Sequence, residues 1–168
     1  MPYPVPIPGS APARLIEAAT RRFESEGRAA VNVLDVARDA GVTTGSLYHH
    51  FGSKDGLYLV IRDEMNRRMT ERMEGAAGAV GRPGRETVTA ALLVAFDAAV
   101  RFDVARILSE PAPDSANDVV SLVIQPMLPV EAKGAAPALA AAWRGALAAF
   151  AEGLPLEEAR NGLRWAVG

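Results

Sequence analysis

The chain has 168 residues, of which 49% are hydrophobic and 23% charged, and its formal net charge is −2. This composition excludes a disordered chain, and no apolar run reaches the roughly 18 residues that a membrane-spanning helix needs. The absence of cysteine excludes disulfides and thiolate metal sites. We therefore expect one domain or two small ones, in a cytoplasmic protein. Because the net charge is slightly negative, any binding to nucleic acid must depend on local geometry.

The N-terminal segment MPYPVPIPGSAP is rich in proline and contains neither lysine nor arginine. It therefore lacks the charged start of a secretory signal. Alternate prolines favour an extended backbone without internal hydrogen bonds. We predict that residues 1–9 form an extended, mobile arm.

The rest of the chain has hydrophobic residues at helical spacing, and no segment alternates like a strand. The predicted fold class is all-α, a three-helix helix-turn-helix domain followed by a second helical domain. Four glycines and one proline in EGAAGAVGRPGR predict a loop at 74–85. Helices are predicted at about 11–26, 33–39, 44–50, 54–73, 86–101, 103–109, 116–125 (capped by Ser115), 135–152 and 155–167.

The segment GVTTGSLYHHF, residues 41–51, contains the only two histidines of the chain. It begins with a glycine that ends the short predicted helix 33–39, and a second short helix follows. A short helix, a tight turn and a second short helix have the spacing of a helix-turn-helix unit. In such a unit the second helix lies in the DNA major groove.

The predicted helix 44–50 has two dissimilar sides. At about 100° per residue, Leu47 and Phe51 share an inward side and His49 lies opposite, beside Gly45 and Ser46. In a major groove these three outward residues would face base edges. The polar residues that flank them are expected at the phosphates: Thr43 and Thr44 at the helix start, Tyr48 and His50 on either side, and Lys54 just beyond the helix.

Residues 10–60 resemble the DNA-binding domain of TetR-family transcriptional regulators. The resemblance lies in LIEAATRRFESEG, VLDVARDAGV and TTGSLYHHFGSKDGL. It implies a homodimeric repressor that binds a palindromic DNA operator and is released by a small effector. A lumen between the apolar helices of the second half would suit an apolar or planar effector. Val31–Asn32 is a departure, because the family usually has threonine nearby, but asparagine can cap the helix and donate to phosphate. The positions that match DNA contacts are Asn32, Thr43, Thr44, Gly45, Ser46, Tyr48, His49, His50 and Lys54.

The resemblance implies that the second half of the chain binds the effector and forms the dimer. The domains are therefore expected at 10–54 and 55–168. The apolar helix 86–101 should be surrounded by others. Asp97 within it either pairs with Arg101 or orients a ligand. Small residues in AAPALAAAWRGALAAF allow close helix approach, and the last helix has an apolar stripe, Leu156, Ala159, Leu163 and Ala166, for the dimer or for its own chain. The predicted pocket comprises Leu92, Phe96, Asp97, Phe102, Leu122, Val123, Met127 and Trp143.

Other functional classes find less support in the sequence. No nucleophile–base pair, paired carboxylates, phosphate-binding glycine loop or metal-ligand spacing stands out, so we expect neither an enzyme nor a cofactor. Two alternatives remain open: a helical protein-interaction module, or a transcriptional activator without a small-molecule effector.

Overall fold

The computed structural model describes residues 6–110 and 118–168, and within these residues it contains helices and turns but no strands. The all-α prediction is confirmed. The chain divides into two compact units, the first ending at Met65 and the second beginning at Asn66. The predicted domain boundary at 54–55 stays a prediction.

The first unit consists of α1 (Ala11–Glu26), α2 (Val33–Asp39), α3 (Thr44–Phe51) and the first part of α4 (Lys54–Val80). Each helix begins where a polar side chain can accept a backbone N–H. Asn32 accepts from the N–H of Leu34 at 2.9 Å, and Ser53 accepts from that of Gly56 at 2.9 Å. The core of the unit is apolar and includes Leu15, Ala19, Phe23, Val36, Leu47, Leu57 and Tyr58.

The predicted arm only partly overlaps the described residues. Residues 1–5 lie outside them. Residues 6–9 include a turn, in which the N–H of Ser10 donates to the carbonyl of Ile7 at 3.0 Å. The guanidinium of Arg14 then donates to the carbonyl of Gly9 at 2.8 Å. The described part of this segment is therefore held against the start of α1 rather than extended.

The loop predicted at 74–85 is mostly wrong, because α4 continues to Val80. Three alanines in EGAAGAV supply the strongest helix propensity, which offsets the two glycines within the helix at about 1 kcal/mol each. The helix ends at Gly81, whose positive φ of 80° suits glycine and whose N–H donates to the carbonyl of Ala77. Only residues 81–84 separate α4 from the next helix.

The second unit contains the rest of α4 and α5 (Arg85–Arg101), α6 (Ala105–Ser109), α7 (Val119–Ile124), α8 (Ala136–Ala151) and α9 (Leu156–Val167). Helix α8 packs against α5, α6, α7 and α9. The core includes Leu92, Phe96, Ile107, Leu108, Val120, Trp143, Leu147 and Leu163. Two short 3-10 turns, Gln125–Met127 and Val130–Ala135, connect α7 to α8.

In the described part of the second unit, side-chain ion pairs of Arg144 and of Arg160 join residues that are distant in the chain. Arg144 is buried and donates through two nitrogens to Asp118 at 2.6 and 3.0 Å, and through the third to the carbonyl of Leu108 at 2.7 Å. Asp118, rather than Ser115, also caps α7, so this helix begins later than predicted; Ser115 lies outside the described residues. Arg160 of α9 binds both oxygens of Asp97 at 2.8 and 3.0 Å.

The structure corrects two expectations for the second unit and decides between two alternatives for the last helix. Helix α5 is not surrounded, because Val94, Asp97 and Arg101 are exposed along one side. Asp97 pairs with Arg160 instead of Arg101. The predicted stripe of the last helix splits between two environments, since Ala159 and Leu163 are buried against their own chain while Leu156 and Ala166 are exposed. The last helix therefore packs its main apolar stripe within the chain, the alternative that the sequence left open.

Candidate nucleic-acid interface

Helix α3 has the orientation that the sequence predicts. Leu47 and Phe51 are buried, whereas His49 is exposed and the side chain of Tyr48 is 52% exposed. The hydroxyl of Thr43 accepts the N–H of Ser46 at 3.2 Å, which fixes the first turn. The buried side anchors the helix to the unit, and the opposite side is free to enter a groove.

The exposed side of α3 carries two imidazole rings beside small residues. The rings of His49 and His50 meet edge to face, with centroids 5.0 Å apart. His50 is half-buried and also lies beside the Phe51 ring, at 6.2 Å, so its orientation is more restricted than that of His49. Gly45 is exposed and Ser46 half-buried. Because glycine has no side chain, this part of α3 permits the closest approach to another surface.

A concavity of about 560 Å³ connects α3 with the start of α2. Its lining includes Asn32, Thr44, Tyr48 and Lys54. The fold thus brings together four residues that the sequence assigns to phosphate contacts. Asn32 precedes α2 and Lys54 begins α4, whereas Thr44 and Tyr48 belong to α3. Hydroxyl and amide groups around an open concavity are suited to hydrogen bonds with phosphate oxygens.

Lys54 is the predicted contact whose charged group is held by backbone carbonyls of the chain. It donates to the carbonyl oxygens of Arg28 at 3.0 Å, Ala29 at 3.4 Å and Val31 at 3.1 Å. These carbonyls belong to the connection between α1 and α2. A lysine has three N–H donors, so three acceptors account for all of them.

Two residues of the interface region were missed by the sequence analysis. Gly56, in the first turn of α4, lies so close to the backbone carbonyl of Phe51 that an added Cβ would overlap its oxygen. Arg28 donates to Asp55 at 3.0 Å, and this hydrogen bond lowers the pKa of the Asp55 carboxyl below its usual range. The guanidinium of Arg28 also lies 5.1 Å from the centre of the Tyr58 ring. The glycine in KDGL was visible in the sequence, but its close neighbour was not.

The residues of the predicted effector pocket differ in their burial in the second unit. Leu92, Phe96, Met127 and Trp143 are buried, and Val123 is half-buried. The remaining three lie at the surface: Asp97, Phe102 (43% exposed) and Leu122 (55% exposed). Which of these residues contact an effector stays a prediction.

Two structural features bear on other functional classes. Within residues 6–110 and 118–168, no three histidine or carboxylate side chains are grouped as a metal ion would require. Over the same residues, no helix has the length and apolar character to cross a membrane.

Sequence comparisons identify similar proteins that are named as transcriptional regulators. Residues 15–61 match the sequence model of the bacterial regulatory proteins of the tetR family. The chain is 34% identical over 84 residues to the HTH-type transcriptional regulator BetI of Brucella anthropi. The matched region covers 50% of this chain and 43% of BetI. The chain is 33% identical over 67 residues to an HTH-type transcriptional repressor of Mycobacterium tuberculosis, covering 40% of this chain and 36% of the repressor. The matched region therefore spans less than half the length of these curated relatives.

Solved structures extend the similarity in fold to nearly the whole chain. A TetR-like transcriptional regulator from Rhodococcus sp. RHA1 matches with a TM-score of 0.71 at 20% identity, over 97% of this chain and 96% of that one. A structure concerned with the control of antibiotic production by bacterial hormones matches with a TM-score of 0.69 at 26% identity, over 93% of this chain and 94% of that one.

Proposed function

Because the chain belongs to the TetR family of bacterial regulatory proteins, we propose that it is a transcriptional repressor. In this proposal it binds a palindromic operator as a homodimer through α3, and a small effector releases it. The observation that carries the proposal is the exposure of His49 and Tyr48 on a helix whose opposite side is buried. The relatives described above are named as transcriptional regulators, and no enzymatic activity is proposed. The expected location is the cytoplasm, where bacterial operators are accessible.

The proposed contacts fall into two groups. His49, Gly45 and Ser46 face the base edges and supply sequence preference. Asn32, Thr43, Thr44, Tyr48 and His50 lie toward the phosphates and fix the position of the helix on the duplex. A chain with a net charge of −2 gains little from overall attraction to DNA, so this local surface has to provide the affinity.

A dimer through α8 and α9 is supported by two exposed features of the second unit. Ala138, Ala141 and Gly145 are exposed along one side of α8, at spacings of three and four residues. Small residues in this arrangement allow a second helix to approach closely. Trp165 of α9 is 88% exposed, about 200° around the helix from the buried Leu163. Indole side chains frequently provide the central contacts of protein interfaces.

A small effector in the second unit is supported by the indole of Trp143. This side chain is fully buried, and its Nε1 has no acceptor among the residues that the structure describes. Burial of an unsatisfied donor costs about 1–3 kcal/mol, and an acceptor on a bound molecule would remove that cost. The relative studied for hormone control of antibiotic production supports the same type of regulation. We propose a mainly apolar effector with at least one hydrogen-bond acceptor.

Selection of bound fragments from random double-stranded DNA tests the proposed function. We expect the purified full chain to enrich a palindrome whose half-sites are about 34 Å apart, one turn of the duplex, or a multiple of that distance. Binding to the enriched DNA should exceed binding to scrambled DNA by about 10³-fold or more at physiological salt. Equal binding to both would contradict the proposal and favour a protein-interaction module.

A further inference from the structure

We propose that Lys54 is a positioning residue, which holds the connection between α1 and α2 in place and makes no phosphate contact of its own. The inference rests on the proposed function, since its consequence is measured on DNA. Its starting observation is the convergence of three backbone carbonyls, from Arg28, Ala29 and Val31, on one ammonium at 3.0–3.4 Å. All three N–H donors of the lysine are thereby engaged.

The connection between the two helices depends on the first turn of α4 for its conformation. Its own backbone supplies one long hydrogen bond, from the N–H of Val31 to the carbonyl of Gly27 at 3.3 Å. Lys54 binds its carbonyls, and the adjacent Asp55 binds the side chain of Arg28 at 3.0 Å. Two consecutive residues of α4 thus hold the same connection through its backbone and through a side chain.

The residue that this arrangement positions is Asn32, which directly follows Val31. Its side chain caps α2, and it lines the concavity together with Tyr48. Lys54 lines the same concavity, but its ammonium is engaged by the carbonyls. To reach a phosphate it would have to leave all three of these carbonyls, which makes such a contact unfavourable.

Two substitutions of Lys54 distinguish positioning from phosphate contact. Lys54→Met removes the charge, whereas Lys54→Arg keeps the charge but replaces three converging donors with a planar fork. If Lys54 positions Asn32, both variants should lose operator affinity by about tenfold, and arginine should not rescue binding. Lys133→Met, at the only other lysine of the chain, is the control for net charge and should bind like the wild type.

The salt dependence of binding supplies the second readout. Each phosphate neutralised by a cation contributes about 0.9 to the slope of log K against log salt. We expect the slope of Lys54→Met to stay within about 0.3 of the wild-type slope. If Lys54→Arg binds like the wild type and Lys54→Met loses about 0.9 from the slope per protomer, Lys54 contacts a phosphate and the inference is wrong.

Hydrogen exchange in the absence of DNA separates this inference from the proposed function. The N–H of Leu34 is bonded to Asn32, so its exchange reports the cap directly. Both variants should exchange this amide at least about tenfold faster than the wild type, through local opening. If the wild type shows no specific DNA binding, the proposed function fails, and this measurement decides the role of Lys54 alone. Unchanged exchange at Leu34 in both variants would overturn the inference.

Discussion

Replacing Gly56 by alanine should lower the free energy of unfolding by about 3 kcal/mol, at the upper end of the usual range for overpacking. The added Cβ would overlap the carbonyl oxygen of Phe51 and lie 3.3 Å from its carbonyl carbon. Both are backbone atoms, so neither can move away by a change of rotamer. Either the end of α3 or the first turn of α4 has to shift. Urea unfolding of the wild type and the variant measures the difference. The free energy of unfolding should depend on urea concentration with the same slope in both, as expected if the unfolded state is unchanged.

Gly45→Ala is the matched control, because it makes the same chemical change on the exposed side of α3. A Cβ at Gly45 would meet the Thr43 hydroxyl at an ordinary 3.6 Å. Helix propensity then favours the variant by up to about 1 kcal/mol. We expect its stability to be preserved while operator affinity falls by about tenfold, because the methyl group keeps α3 away from the duplex. Wild-type affinity in Gly45→Ala would contradict the close approach, and wild-type stability in Gly56→Ala would contradict the packing.

Replacing Trp165 by glutamate should weaken the dimer by more than about 100-fold, a loss typical of a buried aromatic anchor in an interface. The side chain is 88% exposed in a single protomer, so folding of the monomer does not depend on it. Operator affinity should fall by about 100-fold as well, since two linked half-site contacts become independent. Sedimentation equilibrium measures the association, and DNA titration measures the affinity.

Leu122→Glu is the control for placing a charge on an exposed apolar residue of the same unit. Leu122 is 55% exposed on α7, a helix that the proposed dimer does not use. This variant should associate like the wild type. The interface would lie elsewhere if Trp165→Glu dimerised with wild-type affinity, or if both variants lost the same amount of dimer affinity.

The features predicted best from the sequence are those that depend on residues close together in the chain. The caps at Asn32 and Thr43 follow from a polar side chain and an N–H two or three positions later. The buried pair Leu47 and Phe51 and the exposed His49 follow from helical periodicity alone. The family resemblance, carried by the same region, is confirmed by the match over residues 15–61.

The features that the sequence did not predict depend on partners distant in the chain. The ammonium of Lys54 meets carbonyls 23–26 residues away, and Asp97 meets Arg160 across 63 residues. No local pattern distinguishes such partners from a phosphate or from a neighbour at i+4. The packing of α9 is a similar case, because its amphipathic pattern is the same whether the apolar side meets its own chain or a second copy.

The most direct test of the account compares the base preference of the wild type with that of His49→Ala. If the exposed side of α3 faces the base edges, selection from random DNA should yield two different palindromes. They should differ at the same one or two positions in each half-site, while the spacing of the half-sites is unchanged. Identical preferences at every position, with affinity reduced or not, would show that His49 does not contact bases and would contradict the proposed role of α3.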